Sequence, residues 1–178
     1  MADAPLVTLH PNVWTRLVAQ ATGHAREGGG LLIGRRVRRG GFHVVEEIGM
    51  THAEASDSHI IYDKDEMARA RKAAYDAYGP RLEPVGMWHT HPWPACSIEA
   101  LTPQITLLED GIDCNDLEDM LIGDIEVICA TFPDPGYKPR VSEFEIRRKL
   151  GGVWCRAEAW LRVNGEAKPC RLKVRRVR

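Results

Sequence analysis

The sequence predicts an α/β or α+β domain built on a mixed, mostly antiparallel sheet flanked by helices. Three observations carry this expectation. Short apolar runs bounded by glycines recur, as in Gly30-Leu31-Leu32-Ile33-Gly34, the pattern of a buried strand. Two longer segments, Val7 to Ala21 and Asp63 to Tyr78, space their apolar residues at near-helical period. Toward the C-terminus, Trp154 to Val163 alternates as a half-buried strand does.

The elements follow in order. The first helix carries Val13, Leu17, Val18 and Ala21 on one stripe, is entered at Pro11 and closes at Gly23. Gly30 to Gly34 is a strand, and Arg35 to Arg39, Gly40-Gly41 and Phe42 to Ile48 read as a hairpin. His52 to Ser58 is a polar loop. The second helix turns Met67, Ala70, Ala74 and Ala77 inward and stops at Gly79-Pro80. Glu83 to Thr90 is a strand, and a helix is expected from Ser97 to Leu108. Asp124 to Phe132 and Arg140 to Arg148 are strands split by a proline-rich turn. After Trp154 to Val163, a turn at Asn164-Gly165 leads to a last strand, Cys170 to Val177. The 178 residues suit one domain, residues 5–178, with the basic strand or tail 170–178 as its last element.

Composition excludes several classes. A formal net charge of -1 gives no overall attraction to nucleic acid or membranes, and no aromatic-basic platform is visible. No apolar run approaches a membrane span, and the N-terminus lacks a secretory pattern. Five cysteines without a C-x-x-C pair argue against a disulfide framework and a zinc knuckle, and fit a reducing, cytoplasmic setting. Two basic clusters stand out, Arg35 to Arg39 and Arg171 to Arg178. Both are expected as solvated surface or a strand edge kept soluble, with contact to an acidic face of a partner as the alternative.

The chemistry concentrates in Gly86-Met87-Trp88-His89-Thr90-His91-Pro92. Residues two apart on a strand share a face, so His89 and His91 project together at a spacing suited to one metal ion. Pro92 would end the strand and open a pocket there. The second signal is Glu27 followed by Gly28-Gly29-Gly30, whose glycines allow close backbone approach and whose glutamate could reach a neighbouring site. It is not a phosphate loop, because no Lys-Ser/Thr follows the glycines.

Together these segments resemble the JAMM/MPN zinc metalloproteases, whose bacterial members are JAB-domain proteins. That pattern is a glutamate ahead of a Gly-Gly-containing strand, then H-(S/T)-H-P, then S-x-x-D. Here Glu27 to Gly34 matches the first part and His89-Thr90-His91-Pro92 the second, while Ser97-Ile98-Glu99-Ala100-Leu101 falls where the third belongs. The resemblance implies Zn²⁺ on His89 and His91, Glu27 as the base that activates water, and Ser97 as the oxyanion donor. It implies cleavage after the C-terminal glycine of a ubiquitin-like protein. Partners would be that modifier, its conjugates, and enzymes resembling ubiquitin-activating and ubiquitin-conjugating proteins, including those of antiphage operons. The substrate's tail is expected against Trp93, Thr90, Ser58 and His59.

Two departures bear on activity. The gap from Pro92 to Ser97 is shorter than usual, and Ala100 replaces the metal-binding aspartate. A methyl group cannot ligate zinc. Three readings stay open: a designed replacement that inactivates the protein, takeover of the third-ligand role by Glu99, or a natural member that lost its metal. The alternative to a peptidase is a metal-free module that recognises a ubiquitin-like protein without cutting it.

Overall fold

The computed structural model describes residues 4–23, 28–38, 40–50, 54–55, 60–61, 63–91, 123–132, 143–150, 152–163 and 166–176. The chain opens with strand β1 (Leu6–Leu9), ahead of the first helix, whose expected entry at Pro11 and close at Gly23 both hold. Val7 and Leu9 alternate inward, the period of two that marks a strand. Pro11 then begins α1 (Pro11–Gly23), where its missing N–H and fixed φ cost nothing. The buried stripe of α1 is Val13, Trp14, Leu17, Val18 and Ala21.

β2 (Gly29–Val37) and β3 (Gly41–Gly49) form an antiparallel hairpin. The expected short strand at Gly30 and the first hairpin arm are thus one strand, with a register shift at Ile33/Gly34. Gly40 supplies the positive φ of the turn. Within the expected polar loop, β4 (Glu54–Ala55) pairs with β5 (Ile60–Ile61). α2 (Lys64–Tyr78) starts at Asp63, whose carboxylate accepts from Glu66 N–H at 2.8 Å. Met67 and Ala74 are buried and Ala70 packs beside them, but Ala77, expected inward, is exposed, one turn beyond the last buried residue of the helix. Gly79 closes the helix at positive φ. β6 (Glu83–His91), β7 (Ile125–Phe132), β8 (Glu145–Leu150), β9 (Val153–Val163) and β10 (Glu166–Val174) follow. The strand expected from Arg140 is described only from Glu145. The expected helix at Ser97 to Leu108 and the turn at Asn164-Gly165 lie outside the described residues.

The sheet order is β10-β1-β3-β2-β6-β7-β9-β8, mixed and mostly antiparallel. β10 also pairs with β9, so the sheet curls until its ends meet. The concave face wraps α1. Leu32, Val44, Trp88, Val127, Cys129, Ala157 and Leu172 pack there against its apolar stripe. α2 covers part of the opposite face, packing on Leu31, Ile33 and Met87. Among the described residues, no helix is long and apolar enough to cross a membrane.

Two strand crossings demand glycine. A Cβ on Gly86 would stand 1.7 Å from the Ile125 carbonyl oxygen, and one on Gly30 would stand 1.9 Å from that of Ile48. Both neighbours are backbone and cannot swing aside. On the face that α2 shares, β8 and β9 carry a row of paired charges. Arg147 and Arg156 each place Nε 2.9 Å from a Glu145 oxygen, and Arg156 also pairs with Glu158. Burial outweighs that arginine and pushes the Glu158 carboxyl up to about 7.

Gly86→Ala is expected to cost roughly 2–3 kcal/mol by overpacking the β6–β7 contact. Urea unfolding measures this, and a loss under about 0.5 kcal/mol would contradict the contact. Glu158 gives a pH dependence. Its folded pKa lies above the unfolded one, about 4.3, so its contribution is present at low pH and is lost as pH rises through about 7. Glu158→Gln should therefore raise Tm at pH 8 by about 2–4 °C per kcal/mol recovered, and by less at pH 5. A larger gain at pH 5 would reverse the assignment.

Candidate metal centre

Strand β6 carries the two histidines, and its neighbours dictate where they point. β6 runs between β2, antiparallel, and β7, parallel. Trp88 is sunk in the core around α1. The pleat therefore turns Met87, His89 and His91 to the other face, the one on which Met87 meets α2. His91 is the last residue of the strand, as expected for a pair at its mouth.

The two rings converge. His89 Nε2 and His91 Nε2 lie 2.9 Å apart, with ring centroids 4.9 Å apart and planes tilted by 30°. Two imidazoles on a tetrahedral zinc, each at about 2.0–2.1 Å, would hold their nitrogens roughly 3.3 Å apart. A cation thus needs only a few tenths of an ångström of opening. His89 is 3% exposed. Burial first, then the adjacent His89, lowers the His91 pKa to about 3, so its ring is neutral at pH 7 and keeps a lone pair for a metal.

A third side chain fixes the arrangement. Glu126 of β7, 2% exposed, places Oε1 2.7 Å from His89 Nδ1. A carboxylate there accepts the Nδ1–H and holds the tautomer whose Nε2 lone pair faces His91. Its second oxygen is buried without a hydrogen-bond partner among the described residues. This residue is absent from the sequence reading. Its one signal is an acid in the otherwise apolar strand Ile125-Glu126-Val127-Ile128-Cys129, and a charge buried in such a strand requires a partner.

Thr90 corrects an expectation. It is fully buried and projects away from the histidines, so it does not face a substrate. Its hydroxyl accepts from Gly28 N–H at 2.9 Å, while its own N–H donates to the Gly28 carbonyl at 2.8 Å. Thr90 therefore pins the chain at the residue after Glu27. Glu27 itself lies outside the described residues, as do Ser58, His59, Trp93, Ser97, Glu99 and Ala100. Among the described residues, no three metal-binding side chains cluster. Two imidazoles and their orienting carboxylate fit Zn²⁺, and a further donor must come from elsewhere. Buried thiols offer no nucleophile here: burial pushes Cys155 up to about 11 and Cys170 to about 12.

Residues 10–95 match the family of prokaryotic homologs of the JAB domain, a span that includes Glu27, His89 and His91 and stops before Ser97. No curated protein matches the chain. Among solved structures, the solution structure of protein DSY2949 from Desulfitobacterium hafniense is similar with a TM-score of 0.62 and 17% identity, covering 96% of this chain and 94% of that one. At that identity the likeness speaks for the fold alone. With the paired histidines and the α+β fold in place, residues 10–95 support assigning the chain to the JAB/MPN family, beside its prokaryotic members.

Proposed function

We propose that this chain is built as a zinc-dependent peptidase or isopeptidase that cuts after the C-terminal glycine of a ubiquitin-like protein, and that Ala100 leaves it weakened or inactive. The observation that supports this most is the convergence of His89 Nε2 and His91 Nε2 at 2.9 Å, with Glu126 fixing the His89 tautomer. A zinc ion held by those nitrogens supplies Lewis acidity and brings the pKa of water near 7.

The chain's own groups do the rest. Glu126 keeps the proton on His89 Nδ1 and so keeps Nε2 a donor of electrons. Glu27, next to the pinned Gly28, takes a proton from the attacking water and returns it to the leaving amine. Ser97 donates to the developing oxyanion, an interaction worth on the order of 3 kcal/mol of barrier. The substrate tail lies extended against Trp93 and the segment with Ser58 and His59, held by backbone hydrogen bonds. Partners on this reading are the modifier, its conjugates, and the activating-like and conjugating-like enzymes that install it, in an antiphage or related bacterial setting in the cytoplasm.

The identity of residue 100 favours a second reading. With Ala there, two imidazoles alone hold zinc weakly, and the chain would act as a metal-free module that recognises the same modifier.

Metal analysis separates the two. The chain as it stands should hold zinc poorly, and Ala100→Asp should bind it one to one and cleave a modifier fusion extended beyond its terminal glycines. One tight zinc per chain without the substitution would instead make Glu99 the third ligand. Zinc bound by Ala100→Asp without any cleavage would leave the recognition module. In the Ala100→Asp background, Glu126→Ala should weaken zinc about 10–100-fold in chelator competition. Unchanged affinity would remove Glu126 from the centre.

A further inference from the structure

A second concave site lies on strands that contribute nothing to the histidine pair. β9 pairs with β7 along one edge, but its other edge is shared: Val153 to Glu158 pair with β8, and Ala159 to Val163 with β10. β10 in turn leaves β9 after Cys170 and pairs with β1 through Arg171 to Val174. β8 and the second half of β10 therefore start side by side, tied by Leu172 N–H to the Glu143 carbonyl at 2.8 Å, and then part. Among the described residues no strand pairs with the outer edge of β8.

The parting opens a cleft of about 1070 Å³ between β8 and the β10-β1-β3 surface. Its walls include Arg147, Arg148, Arg171, Lys173, Arg175 and Arg38, and the carboxylate among its lining residues is Glu145. Glu145 is already engaged by Arg147 and Arg156, so it leaves the excess positive charge in place. His43 on the floor registers that field: burial, then Arg35 and Arg175, lowers its pKa. The two basic clusters of the sequence, far apart along the chain, meet here with two arginines of β8.

We propose that this cleft is a docking groove for an extended acidic segment of a partner protein, added as a strand along the outer edge of β8. The edge of β8 away from β9, with which no described strand pairs, would supply backbone donors and acceptors in register. Side chains of an added strand alternate in direction, so Asp or Glu at every second position faces the arginines and Lys173. Six residues of β8 span about 20 Å, enough to hold five or six partner residues. Nucleic acid fits less well. The aromatic ring of the lining, Phe42, is buried under Arg36 at 5.3 Å and offers no face for base stacking. Neither His89 nor His91 lines the groove.

The test is fluorescence anisotropy on the full chain with a labelled Glu-Thr repeat decapeptide, the same peptide N-methylated at alternate residues, and a single-stranded oligonucleotide of equal charge. The repeat peptide should bind, weaken from low to physiological salt, and keep its affinity in a chelator. N-methylation should weaken it about tenfold, and so should Lys173→Glu with Arg175→Glu or, independently, Arg148→Glu, in variants that melt as the parent does. Tighter binding of the oligonucleotide, equal binding of the methylated peptide, or affinity unmoved in both folded variants would overturn the proposal.

Discussion

The parallel pairing of β6 with β7 is the constraint on which the rest depends. It sets His89 against Ile128, one pleat beyond Glu126, so that the carboxylate and the ring meet diagonally on one face. The pairing is close because Gly86 lets the Ile125 carbonyl approach where any side chain would block it. On the other edge of β6, Thr90 locks the strand to Gly28. A side-chain pair that chelates needs little more than a strand's pleat, but a pair with defined tautomers needs a strand held on both edges. Here both edges are occupied, and the buried surroundings keep water from loosening the arrangement.

Much of this was legible in the chain. The spacing of His89 and His91 announced a shared face because a strand's period is two, and the structure puts Trp88, next to His89, into the core. The β-rich second half, the helix stop at Gly79 and the hairpin at Gly40 follow from local chemistry that tertiary contacts do not override. What the sequence hid are the features that depend on which strands become neighbours. Glu126 stands 37 residues from His89, and nothing local says that β7 lies alongside β6. Thr90 was expected on a substrate surface beside the two histidines, yet the strand's alternation turns it to the opposite face and buries it. Strand β1 was not read from the sequence, because four residues carry little pattern and the edges offered by β3 and β10 hold them.

The curled sheet divides the molecule's tasks by face. The concave side is apolar and closes over α1, which makes it the source of stability. The opposite side carries polarity: the histidine pair, the Glu145–Arg156–Glu158 row and, where β8 leaves β10, the basic cleft. On the proposed function, Ala100 takes the place of an oxygen donor, which would separate an orienting frame for zinc from the ligand set that holds it.

The most direct test of this account is the tautomer of His89, read by long-range proton–nitrogen NMR on the uniformly ¹⁵N-labelled chain at neutral pH. The account predicts a proton on Nδ1, a bare Nε2, and a shift of the Nε2 resonances of His89 and His91 together as zinc is added. A proton on Nε2 of His89, or zinc that moves neither ring, would contradict it.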